Sequence, residues 1–236
     1  MSGGFSQWLS NIAYMFNAQN WQLFFQSGFS GLLHGLLLTL AASLLGLLFA
    51  LVLGIIFGVL ATSQWKVARA VSRIYVEFFQ NTPLMLQVIF FGFGLPLVWP
   101  AARHVPLFLV GVISISLYHG AYISEAVRAG IQSIHRGQLE ASLSQGMSYV
   151  QAMRYVVIPQ ALRVVLPPLT NQAVNLIKNT SVFIALAVPD LMYQTKLVSD
   201  MTTGPAFLVA ALCYFILCFP LARLAKRLED KAEVGN

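Results

Sequence analysis

The first 65 residues of this chain contain no Lys, Arg, Asp or Glu, and this absence restricts the possible folds more than any other feature. A soluble domain carries about 25% charged residues, whereas this 236-residue chain carries 9% and is 58% hydrophobic. An apolar run of about 20 residues is long enough to cross a bilayer as a helix. We therefore expect an all-α, polytopic membrane protein with about five transmembrane helices. The five runs are residues 29–61, 74–99, 107–132, 165–189 and 203–224.

The stretch before the first span has a different character. Residues 5–27 mix aromatic rings with Asn, Gln and Ser, a combination that suits the membrane interface. We divide the chain into an interfacial segment at 1–28, a transmembrane domain at 29–224 and a C-terminal tail at 225–236. The N-terminus lacks the positively charged region of a secretory signal, so we expect the mature chain to begin at or near Met1.

The basic residues predict the orientation. If there are five spans, Lys66, Arg69 and Arg73 lie on the same side of the membrane as the basic residues that follow the last span. The other side carries only Arg103 and Lys196. The side rich in Lys and Arg is normally cytoplasmic, which predicts an outside N-terminus and a cytoplasmic C-terminus. The net charge of +6 is therefore interpreted as topology and not as a sign of nucleic-acid binding.

A polar stretch lies between the third and fourth predicted spans and contains Glu140, Gly146 and Pro159. Its spacing resembles the E-A-A-x(3)-G-x(9)-I-x-L-P loop of ABC importer permeases, with Ser142 in place of the second Ala. In that family the loop, here at about 134–160, forms a short coupling helix that docks into a cytoplasmic ATPase. The coupling residues that the resemblance implies are Glu140, Ala141, Ser142, Gly146, Met147 and Pro159.

Three more segments resemble the polar amino-acid uptake branch of these permeases, the histidine, glutamine and glutamate-aspartate type. They are residues 76–87, 120–134 and 159–181, with Gln80 standing where the family often has Arg. The resemblance implies the fold of a type I ABC importer permease in a bacterial inner membrane, working on polar amino acids. It also implies three partners: an ATP-binding cassette ATPase that holds ATP-Mg, a periplasmic solute-binding protein and a second permease chain, identical or related.

Motifs for chemistry in this chain itself are missing from the sequence. It contains no G-x-x-x-x-G-K-[ST] phosphate loop, no H-E-x-x-H motif and no G-x-S-x-G elbow. We therefore expect a non-catalytic subunit with no metal and no cofactor of its own. The alternative is a stand-alone channel or secondary carrier for small polar solutes, which has no use for a docking loop.

Ionisable residues inside membrane spans are costly and need an explanation. Glu77, Glu125 and Arg128 are predicted at similar depth near the cytoplasmic surface, either as a structural ion-pair cluster or as a gate. Lys178 lies about 15 residues into its span from Arg163, near the bilayer centre.

We expect a shared polar cavity at that depth, where the Lys178 ammonium suits the α-carboxylate of an amino acid. The alternative is that Lys178 pairs with a backbone carbonyl or with Glu125 and only holds helices together. Pro167 and Pro168 are predicted to interrupt the start of this span. The predicted pathway residues are Gln87, His119, Lys178, Asn175, Asn179, Thr180 and Ser181.

Two further expectations concern local packing. Gly146 is predicted to form a turn between two short helices, with Glu140 accepting backbone N–H bonds. The glycine pairs Gly31-x-x-x-Gly35 and Gly54-x-x-x-Gly58 allow close helix approach, either between two chains or within one chain. Both cysteines, at 213 and 218, are expected to be buried free thiols.

Overall fold

The structure is a computed structural model that describes residues 16–234. The predicted interfacial aromatics Phe5, Trp8 and Tyr14 lie outside the described residues. Within 16–234 the chain forms seven helices, labelled α1 to α7, and two short 3₁₀ turns at Pro100–His104 and Thr180–Leu186. The helices are α1 Ala18–Thr62, α2 Lys66–Asn81, α3 Leu84–Val98, α4 Leu107–Gln132, α5 Arg136–Ser144, α6 at 149–179 and α7 Leu191–Val234, which is kinked at Thr202.

Three of the described helices are long and apolar enough to cross a membrane. They are α1, α4 and the part of α7 that ends at Asp230. Among the described residues, α2 and α3 add a fourth span if the bent pair is counted as one. Helix α1 begins at Ala18, eleven residues before the predicted start at 29, and includes a π turn at Phe24–Gly28. The predicted span at 165–189 corresponds to the second half of α6 and the 3₁₀ turn that follows it.

The predicted second span, 74–99, is not one straight helix. The chain bends by 103° between α2 and α3, where Thr82 and Pro83 are extended. A residue before proline is disfavoured in the helical region, which explains why α2 ends there. The Gln87 amide occupies this break and donates to the carbonyls of Phe79 at 3.0 Å and Thr82 at 3.1 Å. The amide thus satisfies two carbonyls that the helix ends leave open.

The predicted interruption of α6 at its two prolines is wrong. The helix runs from Ile158 to Asn179 with Pro167 and Pro168 inside it. Proline removes a backbone hydrogen bond, yet membrane helices tolerate this loss when neighbouring groups compensate for it. The helix ends instead at Asn179, and the 3₁₀ turn after it closes at Ala187, whose φ is 52°.

The core forms where α1 crosses α4, and small residues bring the two helices together. A Cβ added at Gly58 would stand 2.6 Å from the Val127 Cβ and 2.9 Å from the Ser124 carbonyl oxygen. Gly54 of α1 packs in the same way against Ile123 of α4. Both glycines therefore serve packing within the chain, since α4 occupies the surface that a second chain would need.

The other glycine pair, Gly31 and Gly35, faces α7. A Cβ at Gly35 would stand 2.7 Å from the Asp190 carbonyl oxygen, just before α7 begins. Phe24 and Leu32 of α1 are buried with Ala206 and Ala210 of α7 in a second, smaller core. Many α1 side chains on other faces remain exposed, as expected for a surface that contacts lipid. Cys213 and Cys218 of α7 are free thiols that are half-buried, and not fully buried as predicted.

Candidate functional site

The segment that follows α4 folds into two helices, α5 and the start of α6, which are separated by a turn as predicted. His135 begins α5 by accepting a hydrogen bond at Nδ1 from the Gly137 N–H, at 3.1 Å. After α5 ends at Ser144, Gly146 turns the chain with a φ of +85°. Such a φ costs a residue with a side chain roughly 1–2 kcal/mol, which explains the glycine. A Cβ at Gly146 would meet no atom within 4 Å, so the turn projects freely from the bundle.

The prediction that Glu140 anchors the turn by accepting backbone N–H bonds is wrong, and other residues cap the second helix. The Glu140 carboxylate is exposed and accepts no hydrogen bond from a described residue. Ser148 and Gln151 form the cap instead, since Gln151 Oε1 accepts from the Ser148 N–H at 2.8 Å and Ser148 Oγ accepts from the Gln151 N–H at 3.3 Å. Ser-x-x-Gln before an apolar run is the capping-box pattern, so the sequence carried the correct signal.

Four of the six predicted coupling residues are exposed, namely Glu140, Ala141, Gly146 and Pro159. Met147 is half-buried, and Ser142 is buried with its hydroxyl donating to the Gln138 carbonyl at 2.7 Å. Apolar side chains beside them are exposed: Val150 by 72%, Tyr155 by 65% and Tyr149 by 55%. Exposed rings and aliphatic side chains around a rigid turn are suited to filling a groove of a partner.

The three charged residues predicted as one cluster form two separate pairs. Arg128 binds Glu125 on α4 at 2.6 Å, while Glu77 binds Arg73 on α2 at 2.7 Å. Both pairs line one polar cleft of about 670 Å³ between α2 and α4. Arg73 is the partner that the prediction missed, although its position four residues before Glu77 favours a pair on one helix face. The geometry therefore brings the three predicted residues to one cleft without joining them in one network.

His119 connects two membrane helices. Its ring is 1% exposed and lies 3.0 Å from Gln172 Oε1 through Nδ1, and 3.1 Å from Asn179 Nδ2 through Nε2. An amide nitrogen only donates, so Nε2 accepts from Asn179 and the proton on Nδ1 donates to Gln172. The neutral ring thereby orients the side chain of Asn179, one of the predicted pathway residues. Gln172 was missed, but its position seven residues before Asn179 puts both on one helix face.

The other predicted pathway residues are not joined to His119 by hydrogen bonds. The Gln87 amide nitrogen is engaged at the break between α2 and α3, where it also donates to Thr82 Oγ1 at 2.7 Å. Thr180 is buried, and its hydroxyl donates to the Ile177 carbonyl at 2.8 Å. Asn175 and Ser181 are half-buried.

In the single chain, without any partner, the Lys178 side chain is exposed. It makes no hydrogen bond or ion pair with any residue whose side chain the structure describes. The alternative pairing with Glu125 does not form, because Glu125 is bound to Arg128. An ammonium group without a partner, next to the ordered Asn179, is available for an anionic group from outside this chain.

The comparisons with known proteins agree with this architecture. The family model described as "Binding-protein-dependent transport system inner membrane component" matches residues 50–234. The chain therefore belongs to this family of membrane subunits of transport systems. It is 40% identical over 207 residues to the probable glutamine ABC transporter permease protein GlnM of Bacillus subtilis (strain 168), covering 87% of this chain and 94% of that protein.

A second relative is the glutamine transport system permease protein GlnP of Escherichia coli (strain K12). It is 36% identical over 170 residues, which are 71% of this chain and 77% of GlnP. Among solved structures, a crystal structure of an amino acid ABC transporter with histidines matches with a TM-score of 0.76 and 29% identity. That match covers 86% of this chain and 94% of the other.

Proposed function

We propose that this chain is the permease subunit of an ATP-driven importer for polar amino acids, placed across a bacterial inner membrane with a periplasmic N-terminus and a cytoplasmic C-terminus. Its partners are an ATP-binding cassette ATPase that holds ATP-Mg, a periplasmic solute-binding protein and a second permease chain. The names of the relatives, which specify glutamine and amino acids, support this substrate class.

The observation that carries the proposal is the capped turn at Gly146 with its exposed apolar side chains. A stand-alone channel or carrier gains nothing from such a projection, whereas a subunit driven by a separate ATPase needs a rigid contact that transmits motion. The projection lies on the side rich in Lys and Arg, where a cytoplasmic ATPase can reach it.

The pathway is assigned to the polar side chains of α4 and α6. Lys178 supplies a positive charge for the α-carboxylate of the substrate, since a charge-assisted hydrogen bond is stronger than a neutral one. His119 holds Asn179 in place beside it. The cleft with the two ion pairs lies nearer the cytoplasmic ends of α2 and α4, at the position expected of an inward gate.

The testing experiment is purification of the chain from its native membranes in mild detergent, followed by mass spectrometry of what accompanies it. We expect a stoichiometric companion that carries a phosphate loop, together with a second permease chain. A chain that purifies alone and still moves solute across liposomes without ATP contradicts the proposal and establishes the channel or carrier instead.

A further inference from the structure

A groove beside the coupling segment has features that substrate transport does not explain. Its apolar part is a cavity of about 640 Å³ between the end of α1, the end of α4 and the first half of α6. Aliphatic side chains such as Ile55, Val59, Val127 and Val165 line it, with Trp65 at its rim. Trp65 is 78% exposed, and tryptophan is enriched at membrane interfaces.

A polar cavity of about 550 Å³ continues from the apolar one. Its lining includes the basic residues Arg69 and Arg136 together with His135. No Asp or Glu lines either cavity in the part of the chain that the structure describes. The residues common to both cavities are Thr62, Ser63, Gln64, Ile131, Tyr149 and Met153.

The two basic residues remain able to bind an anion. The Arg69 guanidinium holds the end of α1 through Nη1, which donates to the carbonyls of Ser63 at 2.7 Å and Gln64 at 2.9 Å. Its Nε and Nη2 hydrogens are left for another acceptor. Arg136 is exposed and makes no hydrogen bond or ion pair with a described residue. Among the described residues that line the polar end, two are thus positively charged and none is a carboxylate, while Arg69 also lines the neighbouring cleft that holds Glu77 and Glu125.

The length of the apolar part matches one leaflet of a membrane. The α6 residues that line the apolar cavity but not the polar one extend from Ile158 to Leu169, which is about 16 Å at 1.5 Å per residue. Half of a hydrocarbon core about 30 Å thick is about 15 Å. The polar end lies where α1 and α4 terminate, at the depth of lipid headgroups.

We propose that this groove binds an anionic phospholipid of the cytoplasmic leaflet, with an acyl chain along α6 and the phosphate between Arg69 and Arg136. The charge of the polar end favours an anionic over a zwitterionic headgroup. The apolar length favours a lipid over a free phosphate ester. The proposal uses the membrane orientation given above but does not depend on which solute the protein transports.

Native mass spectrometry of the full-length chain in mild detergent tests the site. The probes are dioleoyl phosphatidylglycerol, dioleoyl phosphatidylcholine and glycerol phosphate. We expect one saturable phosphatidylglycerol that binds at least about fivefold more tightly than phosphatidylcholine, because each basic residue near an anionic lipid contributes about 1 kcal/mol. Equal binding of the two lipids, or glycerol phosphate binding as tightly as phosphatidylglycerol, overturns the proposal.

Matched variants locate the binding. Arg136→Gln should weaken the binding of phosphatidylglycerol about fivefold. Arg163→Gln removes the same charge from an exposed position outside the groove and should leave the affinity for phosphatidylglycerol unchanged. Leu162→Trp fills the apolar part and should displace the lipid, while Val164→Trp on another face of α6 should not.

Two results with these variants contradict the site. One is an Arg136→Gln variant that binds phosphatidylglycerol as tightly as Arg163→Gln does. The other is a dimer of the chain that Leu162→Trp dissociates, because a second copy and not a lipid would then occupy the groove. Arg136 is exposed and unpaired, so its variant remains informative even if the tryptophan variant fails to fold.

Discussion

At the scale of single residues, the pathway depends on which polar side chains satisfy each other and which do not. Two hydrogen bonds join His119 of α4 to Gln172 and Asn179 of α6. The His119 ring is buried, and leaving a buried polar group unpaired costs about 1–3 kcal/mol. Lys178 has no such partner, and this difference separates a structural set from a group that is available to a substrate.

The Lys178→Met variant tests that distinction. We expect it to insert and fold, because no described partner loses a hydrogen bond, and to lose uptake affinity by about tenfold or more, since a hydrogen bond to a charged group contributes about 1.5–3 kcal/mol. Concentration-dependent uptake by the assembled transporter in vesicles measures this. Lys196→Met is the matched control, because it removes the same charge from an exposed pair with Asp200. Unchanged affinity and turnover in Lys178→Met would assign the lysine no role in binding.

At the scale of helices, the close packing of α1 on α4 forms the main core of the described chain. The glycines on α1 let the two helices approach to backbone contact at Ser124. The broken α2–α3 pair then attaches to α4 through hydrogen bonds from Tyr75 to the Leu117 carbonyl at 2.8 Å and from Gln80 to the Ala121 carbonyl at 3.3 Å. Gln80, where the related permeases often have Arg, is therefore a packing residue in this chain.

Gly58→Ile should disrupt this packing. The new side chain would collide with Val127 and with the Ser124 carbonyl, and overpacking of this kind costs about 1–3 kcal/mol. Thermal unfolding of the detergent-purified chain should show a lower melting temperature. Val52→Phe is the control, because it enlarges a side chain of α1 that is 48% exposed and should leave the melting temperature unchanged. A Gly58→Ile variant as stable as the Val52→Phe variant would refute the packing account.

At the scale of the whole molecule, the coupling segment is the part that joins the bundle to its surroundings. It is held by caps at both helices and contacts solvent around Gly146. In the proposed function, a displacement of the ATPase would pass through this segment to α4 and α6, between which it is inserted.

Gly146→Asp should uncouple transport without unfolding the chain. A Cβ added at Gly146 meets no atom within 4 Å, so the new side chain has open space at its base and insertion in the membrane should be normal. The backbone strain and the charge at the docking surface should lower ATP-driven uptake by about tenfold, equivalent to 1.4 kcal/mol. Gly146→Asn is the matched control, because Asn tolerates the left-handed region and adds no charge, so it should retain more uptake. Normal uptake in Gly146→Asp would exclude a docking role for this turn.

The fold class and the coupling segment were predictable because they depend on local chemistry. Apolar runs of sufficient length must become helices in lipid, where backbone groups find no water. The pattern around Gly146 predicted the turn because only a local backbone angle is involved. Glu140 was the wrong choice of anchor for the turn, yet the Ser148-x-x-Gln151 capping pattern was present in the sequence.

The contacts between helices were decided by the tertiary structure alone. The sequence determined that α6 carries two prolines, but neighbouring helices determined that it stays continuous through them and ends at Asn179. Each of the two ion pairs is local to one helix, at i,i+4 for Arg73–Glu77 and at i,i+3 for Glu125–Arg128, but only helix packing brought the two pairs to one cleft. The direction in which a side chain points depends on how one helix turns against the next, and this packing is a property of distant residues acting together.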